Sequence, residues 1–136
     1  MLWILAELSP ESLAIPGADV LEVVPAIAPT PIAGYSKPWM GVIRYRGTIV
    51  PVMDLCERLA VPTPSRSMRQ RILIMTLDGA NKFALRVPSA RAMTAEDLSL
   101  TQQSTCAPII RHLTTAEIFA PQYQQMAIEM LKGIQL

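Results

Sequence analysis

The sequence predicts an all-β protein built from many short strands, and three observations support this fold class. Nine of the 12 prolines fall within the first 67 residues, which leaves no room there for an interior helix of ordinary length. Short apolar runs recur between turn-forming residues. The two halves of the chain also repeat a similar order of strand, turn and strand, which indicates two related subdomains of a barrel or sandwich.

Length and composition favour a globular protein that binds other proteins. The 136 residues carry a formal net charge of +1, with 51% hydrophobic and 17% charged residues. This length predicts one domain with a substantial core. Because the charged fraction lies below the ~25% of an average soluble domain, disorder is disfavoured and part of the surface must be apolar. A net charge near zero disfavours nucleic acid as a partner.

The opening stretch MLWILAEL is apolar but does not resemble an export signal. It lacks a basic start, contains Glu7, and is not followed by a small-residue cleavage pattern. No run in the sequence approaches the ~18 to 20 apolar residues that a membrane span requires. We therefore expect a cytoplasmic protein without direct membrane insertion. Cys56 and Cys106 are expected to be buried, reduced thiols, and the missing export signal disfavours the alternative, a disulfide between them.

The first part of the chain predicts a hairpin followed by an ambiguous element. Residues 2–8 and 12–15 are apolar runs on either side of Pro10, and Pro16-Gly17 forms the next turn. Residues 20–24 fit either one helical turn or a strand. Residues 26–38 are rich in proline and predict a loop.

The strongest hairpin signal follows this loop. The runs WMGVIRY (Trp39–Tyr45) and TIVPVMDL (48–55) are separated by Arg46-Gly47. Pro51 lies inside the second run, and because proline has no backbone N–H it predicts an edge strand or a bulge. One helical turn is expected at 56–60.

The second half predicts another hairpin and then less regular segments. RILIMTL (71–77) and KFALRV (Lys82–Val87) flank a turn that contains Asp78-Gly79. The polar stretch 92–104 contains Thr94, a candidate N-cap for a single helical turn. Residues 109–119 form a further apolar segment, and the run 123–131 fits neither the strand nor the helix period cleanly.

Residues that could carry catalysis are few. Gly-rich phosphate loops, the HExxH zinc motif and the GxSxG nucleophile motif do not occur in the sequence. The sole histidine, His112, stands among apolar residues without a nucleophile nearby. Asp54 and Glu57, three residues apart, are typical of a solvated or capping pair. We therefore predict a protein that is not an enzyme and that uses no cofactor or metal.

Two arginines mark the first strong hairpin as a candidate binding surface. Arg44 and Arg46 stand at alternate positions, so a regular strand would place both on one face. Arginine is favoured in protein interfaces because its planar group binds bidentately and stacks. The pattern fits equally well the ordinary solvated face of a strand.

The run GVIRYRGTIVPVMDL resembles the signature of the CheW family of chemotaxis coupling proteins. In that signature a glycine, an apolar strand, a turn like Asn-Leu-Arg-Gly, and an apolar strand with an internal proline and a closing Asp-Leu follow in this order. Ile15-Pro16 and VLEVV (20–24) resemble a neighbouring family segment, and RILIMTL with KFALRV resembles the hairpin of its second subdomain. The resemblance covers most of the chain and is most specific up to Leu55.

The resemblance implies a fold, an activity and partners. The fold would be a single CheW-like domain over 1–136, made of two small five-stranded SH3-like barrels with few short helical turns. The barrels would be interleaved in sequence, with an approximate split near 62–70. The protein would be a non-enzymatic adaptor that couples the cytoplasmic tip of chemoreceptors to the regulatory domain of the CheA histidine kinase, in arrays on the inner face of the membrane.

The resemblance also implies site residues. Arg46 matches the family's turn arginine, which is associated with receptor contact, and Glu22 with Val23 matches a patch linked to the receptor. Arg44 adds a second charge to this receptor-binding set. Gly41 matches a glycine linked to kinase binding.

Three departures limit what can be transferred from the family. Arg44-Tyr45 stands where the family usually has Asn-Leu, which adds charge and bulk beside Arg46 and suggests a different receptor partner. Residues 87–90 (VPSA) replace the usual Val-Asp-x-Val, so contacts made there cannot be carried over. The segments IIRHLTTAEI and QYQQMAIEMLKG resemble the C-terminal hairpin only loosely, and the long helical tail of many relatives is expected to be missing.

A small barrel that binds a ligand or RNA is the alternative function. Six arginines and one aromatic residue make a basic patch conceivable. The low aromatic content of 5% opposes it, because stacking platforms need a series of aromatic side chains. The residues of this predicted patch are Arg44, Tyr45, Arg46, Arg58, Arg66, Arg69 and Arg71.

Overall fold

The structure is a computed structural model that describes residues 2–8, 11–34, 36–64, 67–77, 79–103 and 110–134. Strands dominate these residues, which confirms the all-β fold class. In chain order the elements are β1 (Leu2–Glu7), β2 (Ser12–Pro16), a 3-10 turn (Gly17–Asp19), β3 (Val20–Pro25), β4 (Trp39–Tyr45), β5 (Thr48–Asp54), α1 (Leu55–Arg58), β6 (Arg71–Thr76), β7 (Lys82–Val87), β8 (Ala90–Thr94), α2 (Ala95–Gln103), β9 (Ile110–His112), α3 (Thr115–Ile118) and α4 (Pro121–Lys132).

The strands form two sheets that interleave along the chain. One sheet has the strand order β8-β1-β2-β9 and is built from both ends of the sequence, whereas the other has the order β3-β6-β7-β5-β4 and is built from its middle. The three predicted hairpins, β1-β2, β4-β5 and β6-β7, are all present and antiparallel. The predicted split near 62–70 does not separate the sheets, since it falls between β5 and β6 of the same five-stranded sheet.

Four details of the predicted architecture are corrected. One sheet has five strands, but the other has four among the described residues, and neither closes into a continuous ladder. The expected C-terminal hairpin does not form, because its second half is the 12-residue helix α4. Helices α2 and α4 are longer than the short turns expected, and none of the described helices is long and apolar enough to cross a membrane.

The main core lies between the two sheets and is covered by α3 and α4. Its centre is a stack of three aromatic rings, with Phe83 and Phe119 5.1 Å apart and Trp39 6.1 Å from Phe119. Such rings bury large apolar areas and so dominate the energy of a core. The indole nitrogen of Trp39 donates a 3.0 Å hydrogen bond to the carbonyl of Tyr123, which fixes α4 against the five-stranded sheet.

Arg58 attaches the end of α1 to the C-terminal helices. Its guanidinium donates hydrogen bonds to the backbone oxygens of Ile118 (2.9 Å) and Glu117 (2.8 Å), and it lies 4.4 Å from the ring centre of Tyr123. Cationic donors at the end of a helix satisfy carbonyls that have no partner within the helix.

Thr114 begins α3 with a capping box, in which its hydroxyl accepts the backbone N–H of Glu117 and the Glu117 carboxylate accepts the backbone N–H of Thr114.

The five-stranded sheet is rolled so that its edge strands β3 and β4 approach each other. The segment that follows β3 pairs with β4 through an isolated bridge, in which Thr30 and Val42 exchange two backbone hydrogen bonds of 2.8 and 2.9 Å. The N–H and C=O groups of Val42 thus bond Thr30 and not Pro51, the residue opposite Val42 on β5. Because β5 pairs with β7 only from Val52 onward, Pro51 is tolerated in an interior strand, so the predicted edge position is wrong. The other prediction for this region, a bulge, has a counterpart in the register shift between Trp39 and Gly41 in the same strand pair.

Candidate functional site

The turn between β4 and β5 has the geometry of a tight hairpin. Both of its central residues have positive φ, 48° at Arg46 and 78° at Gly47. This is the signature of a type I′ turn, whose twist matches that of the flanking strands, and glycine adopts it without strain. Arg46 therefore leaves the strand, and the prediction that Arg44 and Arg46 share one strand face is wrong.

Arg46 belongs to a cluster with Glu22 and Tyr45, which we name the Glu22 cluster. The hydroxyl of Tyr45 donates a 2.7 Å hydrogen bond to Oε1 of Glu22, and Arg46 donates a 2.9 Å bond to the same oxygen. The guanidinium carbon of Arg46 lies 5.4 Å from the ring centre of Tyr45. Glu22 is on β3 and Tyr45 is on β4, so the cluster joins the two edges of the rolled sheet.

The cluster shifts the titration of two of its members in opposite directions. The hydrogen bond from Tyr45 and the nearby Arg46 lower the pKa of Glu22, because both favour the charged carboxylate. The same bond raises the pKa of Tyr45, since the phenol loses a favourable contact when it ionises. The cluster is therefore expected to stay intact over a wide pH range around neutrality.

An apolar surface lies on the side of β3 opposite to the side chain of Glu22. Leu21 and Val23 are 50% and 41% exposed, and they flank Glu22 in the sequence. Val23 lies opposite Leu73, which is buried in the core between the sheets. We name this exposed surface of Leu21 and Val23 the β3 apolar face, and it follows the margin of the junction between the two sheets.

Arg44 lies near the Glu22 cluster but is not part of it. Its side chain is exposed, and within the part of the chain that the structure describes it has no ion-pair partner. The predicted receptor-binding residues are thus arranged unequally. Glu22 and Arg46 bind each other, whereas Val23 and Arg44 are exposed around them.

Gly41 has a structural reason to be glycine. It lies at a register shift between β4 and β5, is buried, and has φ of +142°, which side-chain-bearing residues rarely adopt. A Cβ built there would overlap the carbonyl oxygen of Thr30 and lie 2.7 Å from its carbonyl carbon. The predicted kinase-binding position is therefore a place where the chain after β3 crosses β4, not an exposed contact residue.

A second ion pair lies at the opposite end of the five-stranded sheet from the β4-β5 turn, with a buried carboxylate and a half-buried guanidinium. Arg86 donates a 3.0 Å hydrogen bond to Oδ2 of Asp54, whose side chain is only 8% exposed. The other oxygen of Asp54 accepts the backbone N–H of Cys56 and so caps α1. This pair was not predicted from the sequence, where its one signal is an arginine in the otherwise apolar end of KFALRV.

Cys56 beside this pair is buried, as expected. Burial, reinforced by the negative charge of Asp54, raises the pKa of its thiol to about 11. Cys106 lies outside the described residues. His112 contacts the ring of Trp3 edge-on at 5.5 Å, and no group of three potential metal ligands occurs among the described residues.

The arginines of the predicted basic patch are dispersed. Arg46 is paired with Glu22, Arg58 binds the end of α3, and Arg71 donates to the carbonyls of Met68 and Gln70. Tyr45, the aromatic residue of that patch, is hydrogen-bonded to Glu22. Arg66 lies outside the described residues.

Comparisons with known proteins place this site in a family. The model of the CheW-like domain matches residues 3–114, most of the chain. The chain belongs to the CheW-like domain family. Within solved structures it is similar to the scaffolding protein TtCheW from Thermoanaerobacter tengcongensis, with 30% identity and a TM-score of 0.61, over 66% of this chain. The chain matches 61% of that protein's length, and no curated protein sequence matches it significantly.

The CheW-like match covers both sheets and the whole Glu22 cluster. It ends at Thr114, so α3 and α4 lie beyond the matched region. The segment where the sequence departs from the usual CheW-like pattern, 87–90, is the tight connection from β7 to β8. This connection carries the chain from the five-stranded sheet into the four-stranded one.

Proposed function

We propose that this protein is a non-enzymatic adaptor that couples the cytoplasmic tip of chemoreceptors to the regulatory domain of a CheA-type histidine kinase. It would act in the cytoplasm, at receptor arrays on the inner face of the membrane. Membership of the CheW-like family and similarity to a CheW scaffolding protein support a scaffold role. The proposal adds the two partners and the surface that meets one of them.

The observation that carries the proposal is the β3 apolar face beside the Glu22 cluster. The edge strand β3 presents the exposed apolar side chains of Leu21 and Val23 on one side and the charged Glu22–Arg46 pair on the other. A partner that docks along this edge would meet both apolar area and charge, as protein interfaces do. A receptor tip that presents an amphipathic helix would place its apolar side chains on this face. Its charged residues would then meet Arg44 and the Glu22 cluster.

We assign different tasks to the four receptor-binding residues. Val23 supplies apolar contact area, and Arg44 and Arg46 supply charge at its margin. Glu22 holds Arg46 and Tyr45 in place and neutralises part of the positive charge of Arg46. Tyr45 joins this set as a positioning residue, because it contacts both Glu22 and Arg46.

Gly41 contributes to kinase binding only through the backbone in this proposal. Because it is buried and has no side chain, it cannot supply a contact of its own. It allows the segment around Thr30 to cross β4 closely. A substitution at Gly41 would therefore act by displacing that segment.

Affinity measurements with purified partners test the proposal. The full chain is immobilised and titrated separately with a receptor cytoplasmic fragment and with the kinase regulatory domain. We expect Glu22→Lys, Val23→Asp and Arg46→Ala to weaken receptor binding and to leave kinase binding unchanged. Glu129→Lys on the exposed side of α4 is the matched control, since it lies far along the chain from β3 and outside the family match.

Two results would contradict the proposal. The adaptor function fails if the wild-type chain binds neither partner. The site assignment alone fails if the chain binds the receptor and all three β3 and turn variants bind it as tightly as the wild type. Circular dichroism spectra of the variants verify that each one retains the fold.

A further inference from the structure

The end of the five-stranded sheet opposite the Glu22 cluster opens into two cavities. Strand β3 ends there at Pro25, β6 begins there at Arg71, and β7 ends there at Val87. The cavities measure about 490 and about 900 Å³, and Arg86 lines both. The mouth of a rolled sheet is a common position for a small-molecule site, and both volumes lie in the range of such sites.

The two cavities differ in charge. The larger one is lined by Lys37, Asp54, Glu57 and Arg86, which form two ion pairs with each other, at 3.3 and 3.0 Å. The smaller one is lined by two arginines, and among the described residues no aspartate or glutamate faces it. The smaller cavity is therefore the cationic one.

The polar residues of the smaller cavity can all donate hydrogen bonds. They are Ser67, Gln70, Arg71 and Arg86, and the rest of the lining is apolar, with Ile27 and Met68 on it. Ile27 is 53% exposed and Met68 is 96% exposed. Exposed methionine is an adaptable contact for apolar groups because its side chain is flexible and polarisable.

The two arginines retain unused hydrogen-bonding capacity. Arg86 bonds Asp54 through one nitrogen, and Arg71 bonds the carbonyls of Met68 (2.7 Å) and Gln70 (2.8 Å) through one nitrogen. A guanidinium has five N–H donors, so each keeps others for a ligand. In the described residues Arg71 has no carboxylate partner, which leaves its positive charge uncompensated.

The positions of the arginines are fixed by the sheet. Arg71 pairs with Val87 and Arg86 pairs with Ile72, so the two arginines stand on successive rungs at the end of the β6-β7 ladder. Their side chains leave opposite faces of the sheet, and both line the smaller cavity at its end. The bonds from Arg71 to Met68 and Gln70 also hold the turn that forms one wall of the cavity. The cationic groups are thus supported by backbone and by the buried Asp54.

We propose that this cavity binds a small organic anion. A phosphate or carboxylate group would accept hydrogen bonds from Arg71 and Arg86, which suit planar, bidentate recognition of such groups. An apolar body would lie against Ile27 and Met68. The proposal does not depend on the adaptor function, because it uses a different end of the sheet.

Titration of the isotope-labelled full chain with phenyl phosphate and with benzoate, followed by NMR, tests this inference. We expect the amide signals of residues 26–28, 67–71 and 86 to move with at least one probe, and the affinity to fall as salt is raised. Phenol has the same ring but is uncharged at neutral pH, and it is expected to bind at least about tenfold more weakly than the anionic probes. Inorganic phosphate measures the contribution of the anion alone.

Three variants locate the effect. Arg71→Gln removes the uncompensated charge and is expected to weaken binding by about tenfold. Arg86→Lys keeps a cation beside Asp54 but removes the planar guanidinium. It tests the same site independently, in case Arg71→Gln disrupts the turn at 67–70 that Arg71 holds. Arg44→Gln, at the opposite end of the sheet, is the control and should bind as the wild type does.

The inference is overturned if neither probe shifts the signals of the cavity residues at about 10 mM, far above the range of specific sites. It is also overturned if the shifts map elsewhere, or if phenol binds as tightly as phenyl phosphate and benzoate. If Arg44→Gln weakens anion binding as much as Arg71→Gln does, the arginines act only through the overall charge of the protein. That result also contradicts a specific site in the cavity.

Discussion

The two ends of the five-stranded sheet each carry an arginine–carboxylate pair, and the two pairs differ in exposure. In the Glu22–Arg46 pair the side chains are 38% and 76% exposed, whereas in the Asp54–Arg86 pair they are 8% and 22% exposed. Exposed pairs contribute little to stability, but breaking a buried pair leaves a charge without its partner in a poorly solvated place. On this difference in exposure we assign the Glu22–Arg46 pair to partner contact and the Asp54–Arg86 pair to the stability of the fold.

The largest effect is expected from breaking the buried pair. Asp54→Ala removes both the partner of Arg86 and the N-cap of α1, and we expect the free energy of unfolding to fall by about 3–4 kcal/mol. Urea denaturation followed by circular dichroism measures this. Glu22→Ala is the matched control at the exposed end and should leave the midpoint nearly unchanged, so equal losses in the two variants would remove the distinction between the pairs.

The second effect concerns the two glycines of the β4-β5 hairpin. Gly41→Ala would force a Cβ against the backbone of Thr30 as well as a disfavoured φ, and we expect a loss of about 2–3 kcal/mol. Gly47 also has positive φ, but a Cβ there would meet open space, so Gly47→Ala should cost only about 1 kcal/mol. The same denaturation experiment compares them, and an equal cost would show that the close crossing at Gly41 is unimportant.

The hairpins of this fold could be predicted from the sequence because their signals are local. Arg46-Gly47 between two β-rich runs predicts a tight turn, and the structure has that turn with positive φ at both residues. Thr94 was predicted as an N-cap, and its hydroxyl accepts the backbone N–H of Asp97 at the start of α2. The residues that set these features lie within a few positions of each other.

What could not be predicted depends on contacts between distant parts of the chain. The run 123–131 fits neither period cleanly, and its helix is fixed by contacts with Trp39 and Arg58, which are more than 60 residues away. Glu22 and Arg46 were each predicted as site residues, but their direct bond requires the sheet to roll until β3 approaches β4. From the sequence Tyr45 was a departure from the family and the aromatic residue of the alternative basic patch, and its role as the link between Glu22 and Arg46 became visible only in the fold.

A smaller effect is expected on receptor binding. Arg46→Ala removes an exposed cation at the margin of the β3 apolar face, and we expect about a fivefold to tenfold loss of affinity for the receptor fragment. The urea midpoint should hardly change. Surface plasmon resonance at two salt concentrations measures the loss of affinity, which should shrink as the salt concentration rises. A variant that loses stability but binds the receptor fragment as tightly as the wild type would contradict the assignment of Arg46 to partner contact.

The smallest effect is on titration at the Glu22 cluster. Because the bond from Tyr45 lowers the pKa of Glu22, it contributes stability above the ordinary pKa of glutamate that is lost as the pH falls through the lowered value. The raised pKa of Tyr45 makes its contribution complete below the ordinary pKa of tyrosine, and this contribution is lost as the pH rises through the raised value. Tyr45→Phe should raise the pKa of Glu22, as carboxyl NMR titration would measure, and an unchanged titration would contradict the bond.

The central claim, that the Glu22 cluster serves partner contact and not the fold, is tested most directly by exchanging its charges. The double variant Glu22→Arg, Arg46→Glu keeps an opposite-charge pair between β3 and the turn but reverses the field that a partner meets. Its affinity for the receptor fragment is measured together with its urea midpoint. We predict a midpoint close to that of the wild type and a loss of at least about tenfold in receptor affinity; wild-type affinity in the exchanged variant would contradict the claim.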